Sequence, residues 1–215
     1  NIFTCQSLVI ATGGLSIPKI WATPFCYKIA QQFGLRIIDP RAGLVPLTFN
    51  AELLEQTKPL SGISIEASIS NHRAHFREGM VFTHKGISGP AILQISSYWL
   101  PGENITINLA PDHDMTSVLK GEKTQNPKRN IDTIITQYLP ARLAEFICNQ
   151  GGVSGRIADL KDQDLLTLAR HINHWDIKPS GSEGYKKAEV TIGGVNTDDL
   201  SSKTMESKTT AGLYF

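Results

Sequence analysis

The 215-residue chain carries almost no excess charge: 21 Lys and Arg stand against 20 Asp and Glu, a formal net charge of +1. Bulk electrostatics therefore does not direct it to a polyanion, and any such contact must come from a local patch. Cysteine is scarce. Cys5, Cys26 and Cys148 are odd in number, far apart and form no CxxC pair, which argues for free thiols in a reducing compartment and against a disulfide framework. No apolar run approaches the length needed to span a bilayer and no signal-peptide pattern is seen, so a cytoplasmic protein without a membrane partner is expected. Internal repeats are missing as well.

What the chain does have is the material of a globular fold. Hydrophobic residues make up 40% of it and 18 glycines add to that, and a chain of this length buries roughly 70% of the surface it would expose unfolded. Length alone gives one to two domains. The texture changes along the sequence. "SLVIATGG", residues 7–14, is a continuous apolar run ending in a glycine pair, the pattern of a strand buried on both faces of an α/β sheet. Residues 24–34 place Pro24 at a helix start and Gly34 just past its end, and "LRII" at 35–38 follows as a short strand.

After Pro40 short strands dominate. "ISIEASIS", 63–70, and "ITINLA", 105–110, alternate apolar and polar residues, and "GLVPLTF" (43–49), "AHFRE" (74–78) and "GMVFTH" (79–84) complete an expected antiparallel sheet or small barrel. From 128 to 175 the period becomes helical. Ile131, Ile134, Ile135 and Leu139 lead to Pro140 as first residue of a helix ending at Gly151–Gly152, and Asp162 is the expected N-cap of a further helix. The last forty residues return to strands and turns.

The chemistry-bearing motifs are few. "VFTHKGISGPA", 81–91, is one. Ser88 is followed directly by Gly89 and Pro90, so the GxSxG spacing of a nucleophile elbow fails. Two readings fit: Gly86–Gly89 as a cradle of backbone N–H groups for an anion or carbonyl oxygen, or an ordinary glycine loop with Ser88 as a cap. His84 is a candidate general acid or carbonyl donor, and equally a structural histidine at a strand end. Lys85 is either a phosphate screen or a solvated rim residue. His171 and His174 stand three apart on a helix, but no third ligand lies nearby, and no metal is expected. "KGEKTQNPKRN", 120–130, is the most basic stretch, read first as a solvated loop and second as an RNA or phosphate contact. "ATGG" (11–14) and "TIGGV" (191–195) are glycine pairs at strand ends, which admit a pyrophosphate or ring but also simply make tight turns.

Taken together and in order, "LVIATGGLSIPK", "GLVPLTF", "FTHKGISGPAIL", "LPARL", "AEVTIGGV" and "TMESKTTAGLYF" resemble the FAD-dependent flavoproteins of the YhiN/BaiN type, from about residue 7 to 215. The resemblance implies an α+β protein: pieces of an FAD-binding α/β domain of two-dinucleotide-binding type, interrupted by an insert with an antiparallel β-sheet or barrel and a small helical part. The implied boundaries are 1–42 and 178–215 for the FAD-domain segments, 43–112 for the inserted β subdomain and 113–177 for the inserted helical one. It further implies that Thr12, Gly13, Gly14, Thr191, Gly193 and Gly194 contact the cofactor. Thr83, Gly86, Ser88 and Gly89 would border the substrate, with His84 as the catalytic side chain and Tyr185 as a secondary proton donor. Two departures stand out. The family's GxGxxG turn, which holds the FAD pyrophosphate on a helix N-terminus, does not occur here. "WATPFCY" at 21–27 replaces a G-S-T-G-D-G-Y-like run.

The expected activity is reduction of an activated C=C, in an enone or a uracil-like ring, by an FAD-dependent oxidoreductase with NAD(P)H as electron donor. The chain alone, without the phosphate-holding turn, is expected to bind FAD poorly and to be inactive. The expected partner is a small or nucleobase-type substrate. Two other readings remain: the insert as a recognition module for RNA or another partner, and a purely structural remnant.

Overall fold

The computed structural model describes residues 4–215, so the first three residues of the expected 1–42 segment lie outside the described residues. In chain order the first elements are β1 (Leu8–Val9), α1 (Phe25–Gln32), β2 (Ile37–Gly43), β3 (Leu47–Thr48) and α2 (Ala51–Thr57). There follow β4 (Ser64–Ser70), β5 (His75–Thr83), β6 (Gly86–Ser88), α3 (Pro90–Ser96) and β7 (Ile105–Asn108). The helices α4 (Met115–Gln125), α5 (Ile131–Ile135), α6 (Ala141–Gly151) and α7 (Asp162–Asn173) come next. The chain ends with β8 (Trp175–Ile177), β9 (Gly181–Ser182), β10 (Val190–Val195) and β11 (Leu213–Tyr214). These elements form two units: residues 4–45 with Glu183–Phe215, and Pro46–Ser182.

The larger unit is built on an antiparallel sheet of order β8-β7-β4-β5-β6-β3-β9. Its two outer members, β8 and β9, are successive pieces of one segment, residues 175–182, and Ser180 N–H donates to Thr48 O at 2.8 Å just before β9 pairs with β3. The chain itself therefore joins the two ends of the sheet, and the sheet closes into a small barrel. The alternation in "ISIEASIS" is realised: Ala67 and Ile69 are fully buried while Ser64 and Glu66 face solvent. "AHFRE" and "GMVFTH" merge into one continuous strand, β5, because residues 75–81 pair with β4 without a break.

One hydrophobic core runs through barrel and helices, from Phe82, Ile87, Ile105 and Ile107 to Ile134, Leu143, Leu168 and Ile172. Trp175 joins the two halves, its ring 6.1 Å from Phe82 and 5.9 Å from Phe146 between centroids. Cys148 is buried on α6, and desolvation pushes its thiol up to about 12, so it packs as an inert small hydrophobe. The caps differ from the sequence expectation by one residue. Pro140 and Lys161, both extended, precede α6 and α7, so Asp162 is the first helical residue of α7 rather than its cap. Asp164 does the capping, its carboxylate accepting from the Lys161 N–H at 3.3 Å. Among the described residues no helix is long and apolar enough to cross a membrane.

The smaller unit has two two-stranded sheets, β1 with β11 in parallel and β2 with β10 antiparallel. Its core is Ala30, Leu35 and Leu200 with a few partly buried neighbours. Helix α1 runs as expected, with Gly34 left-handed (φ 77°) just past its end. The expected strand 7–14, however, shrinks to Leu8–Val9, and these are 44% and 65% exposed rather than buried on both faces. Only β11 pairs with it among the described residues, so no layer covers its faces.

Candidate functional site

The smaller unit holds a groove of about 760 Å³, within the range of ligand pockets. All six residues expected at the cofactor line it: Thr12, Gly13, Gly14, Thr191, Gly193 and Gly194. Two segments nearly 180 residues apart in sequence meet there through Thr191. Its hydroxyl oxygen accepts from Leu15 N–H at 2.9 Å and Ser16 N–H at 3.1 Å, and lies 2.9 Å from the Ser16 hydroxyl. The Thr191 hydroxyl thus occupies the amides that follow "ATGG", which are therefore not available to an anion. Cys26 Sγ–H donates to Gly13 O at 3.3 Å and ties the same loop to α1.

The glycines serve close approach. A Cβ on Gly14 would stand 2.6 Å from Thr191 Oγ1, and one on Gly193 would stand 2.7 Å from Asp39 O, where β10 bulges against β2. Gly13 is different: it is left-handed (φ 73°) and nothing lies within 4 Å of the position its Cβ would take. It presents open space to the groove.

Sequence reasoning missed Tyr27. Helix α1 buries Cys26 and Ala30, so Tyr27 stands one position off the buried stripe and turns into the groove. A Cβ on Gly194 would stand 3.3 Å from the Tyr27 ring, and one on Gly14 3.1 Å from its hydroxyl. Burial, with smaller contributions from Cys26 and Tyr185, raises the Tyr27 phenol above its ordinary value, and burial raises Tyr185 too. Both stay protonated hydrogen-bond donors at neutral pH. The helix phase of α1, and the tyrosine that "WATPFCY" shares with the end of the G-S-T-G-D-G-Y-like run, are the sequence signals that could have pointed to Tyr27. Trp21 and Ala22, from the stretch that departs from the family run, line the same groove.

Glu189 is the one charged residue in the lining, which is otherwise glycine, hydroxyl and apolar side chains. Such a surface suits a flat, largely apolar ring. It offers no cation to a pyrophosphate, whose grip has no counterpart among these residues.

The motif around His84 lies in the larger unit. His84 and Lys85 form the two-residue turn of the β5–β6 hairpin, closed by the Thr83–Gly86 pair, and His84 is exposed. Lys85 N–H donates to Thr83 Oγ1 at 3.2 Å. A Cβ on Gly86 would stand 2.3 Å from Leu47 O and one on Gly89 2.7 Å from Gly79 O. These two glycines are therefore required by the close approach of strands, and that face of each is filled by backbone. Gly89 (φ 98°) precedes α3, a helix of seven residues. Ser88, paired with Val81, keeps partial exposure.

A second cavity, of about 600 Å³, runs along α7 and β8 beside Arg170, His171, His174 and Trp175. Among the described residues no group of three or more His, Cys, Asp or Glu could hold a metal ion. The basic stretch 120–130 is half helical rather than a loop, since α4 reaches Gln125. Lys123 donates to Asp162 and Leu160 O, and Arg129 pairs with Glu122. Two of its four cations are thus held by neighbours.

Residues 41–190 match the family described as HI0933-like protein barrel and H2TH domain. The chain is 46% identical over 213 residues to the ribosomal RNA dihydrouridine synthase of Escherichia coli, an alignment that covers 98% of this chain and 53% of that protein. It matches the ribosomal RNA dihydrouridine synthase of Haemophilus influenzae with the same identity and coverage. The 3-dehydro-bile acid delta(4,6)-reductase of Clostridium scindens is more distant, at 21% over 228 residues, 99% of this chain and 55% of that one. The chain thus spans about half the length of the curated relatives it matches. The barrel and helices described above account for most of the matched stretch, and the chain belongs to the HI0933-like family.

Proposed function

We propose that this chain forms part of an FAD-dependent oxidoreductase that reduces the C5=C6 bond of a uracil ring in ribosomal RNA. The observation that carries this reading is the convergence of "ATGG" and "TIGGV" on one mostly apolar groove whose lining holds no cation. The names of the two 46%-identical relatives supply the substrate class. The cofactor ring would rest against Gly13, Gly14, Gly193 and Gly194, with Thr12 and Thr191 beside it. Bound there, FAD supplies hydride to an electron-poor C=C, with NAD(P)H as the source of electrons.

The chain's own residues hold and polarise. The apolar walls exclude water from the ring face. Tyr27, protonated and fixed on α1, offers a donor within the groove. His84, exposed on its hairpin, is assigned to the carbonyl oxygen of the substrate, where a donor stabilises the negative charge that develops during reduction. Thr83, Gly86, Ser88 and Gly89 are assigned to the substrate side with it. The FAD-domain segments are proposed as 1–42 and 178–215, flanking the β and helical inserts, and the site of action as the cytoplasm.

Deletion of the gene that encodes this chain tests the reading. Mass spectrometry of ribosomal RNA from the deletion strain should show one uracil lighter by two hydrogens than in the parent. The wild-type gene should restore it, and His84→Ala should restore it incompletely. Ribosomal RNA of unchanged mass would refute the assignment.

A further inference from the structure

We propose that the loop Ile17–Trp21, with Lys19, Lys186 and Lys187, seats an unpaired base of single-stranded RNA, stacked on the Trp21 indole at the rim of the groove. The inference rests on the RNA reading given under Proposed function and adds the surface that would hold the strand.

Trp21 is 91% exposed and Ile20 69%. An indole left in water forgoes the burial of a large apolar surface, on the order of 150–250 Å². The backbone that displays it is also strained. Ile17 (φ 56°, ψ 65°) and Trp21 (φ 68°, ψ 22°) are both left-handed, a region that β-branched and bulky residues rarely adopt.

The loop is nevertheless well defined. A 3-10 helix, Pro18–Ile20, sits between the two left-handed residues, with Ile20 N–H donating to Ile17 O at 3.0 Å and Trp21 N–H to Pro18 O at 3.2 Å. At its base Ile17 N–H donates to Tyr185 O at 2.9 Å, which sets the loop beside a second 3-10 helix, Gly184–Lys186. Ile17, Ile20 and Trp21 form a wall of the groove. An apolar surface held out by a hydrogen-bonded, strained frame is presented to something.

Charge indicates what. Lys19 lies within the loop, and Lys186 and Lys187 lie on the turn packed against it. All three are exposed, and among the described residues none has a carboxylate within ion-pair distance. An exposed indole on a loop that carries one unneutralised lysine and packs beside a turn carrying two more is the pattern that binds single strands: phosphates meet the lysines and a base meets the ring. A polypeptide could cover the indole, but only an acidic one would also answer the three cations.

The 215-residue chain can be titrated at low salt with a uridine-rich single-stranded oligoribonucleotide while tryptophan emission is followed. Trp99 is buried and Trp175 is packed between Phe82 and Phe146, so Trp21 is the indole that reports on solvent. Quenching is expected, and an abasic oligonucleotide of equal length should bind through charge without it. Trp21→Ala should weaken binding about ten-fold and Trp21→Phe much less. The double change Lys19→Gln, Lys186→Gln should flatten the salt dependence. If RNA binds and Trp21→Ala leaves affinity intact, the stacking site is overturned while an RNA substrate stands. If RNA fails to bind, and anionic vesicles or a second copy of the chain quench Trp21 instead, the loop is not an RNA seat at all.

Discussion

The two units solve the problem of apolar surface in opposite ways. Pro46–Ser182 wraps one core around a closed barrel, and nearly every large apolar side chain in it is covered. The unit made of residues 4–45 and 183–215 has a core of three buried residues, and it contributes ten of the thirteen exposed large hydrophobics among the described residues. The first unit leaves few large apolar side chains in water, whereas the second leaves isoleucines and an indole in the open. The groove lined by "ATGG" and "TIGGV" thus lies in the unit whose packing is thin.

Substitutions should expose this contrast. Leu168→Ala, in the centre of the large core, is expected to cost about 3 kcal/mol in chemical denaturation. Gly86→Ala should come close to it, on the order of 2–3 kcal/mol, because the new Cβ would collide with Leu47 O in a closed barrel that cannot spread. In the small unit the costs fall. Thr191→Val removes the acceptor shared by Leu15 and Ser16 and is expected to cost about 1–2 kcal/mol, read as faster proteolysis of the loop after "ATGG". Leu8→Ala should change stability by no more than about 0.5 kcal/mol, since Leu8 is already half in water. A Leu8 cost equal to that of Leu168 would erase the distinction.

Acid probes both units with the same chemistry. In the large unit Arg73 clamps Glu103 at 2.6 and 2.8 Å and holds its carboxyl at about 2, against an ordinary value of 4.5. A carboxylate depressed on folding contributes stability that is fully present above the ordinary value and is lost as pH falls toward the depressed one. Glu103→Gln should therefore flatten the acid limb of the unfolding curve below about pH 4.5. Asp199, lowered by Arg36 in the small unit, should give the weaker counterpart on Asp199→Asn, because the Arg36 side chain is 62% exposed and solvent screens the pair.

The periodicities that found β4, β7 and the helices α5 to α7 were legible because each of those elements buries one face in a core made by its own unit. Ile105, Ile107, Ile134 and Leu143 could be assigned inward before any coordinates. The run "SLVIA" misled for the converse reason: its apolarity implies covering layers that the described residues do not supply to β1. At the site, the glycine pairs were visible as motifs, but their physical role was not. That Gly14 yields to Thr191, Gly193 to Asp39 and Gly86 to Leu47 depends on partners distant in sequence. Helix phase places Tyr27, and a left-handed loop places Trp21.

The ring of strands has a temporal consequence. Its last stave, residues 175–182, is separated from β3, with which it pairs, by more than a hundred residues that include every helix from α2 to α7. A ribosome making this chain releases β3 early and must extrude all of those helices before the partner emerges. The barrel is thus sealed late, across a loop of more than a hundred residues, and until then β3 and β7 each offer an open edge.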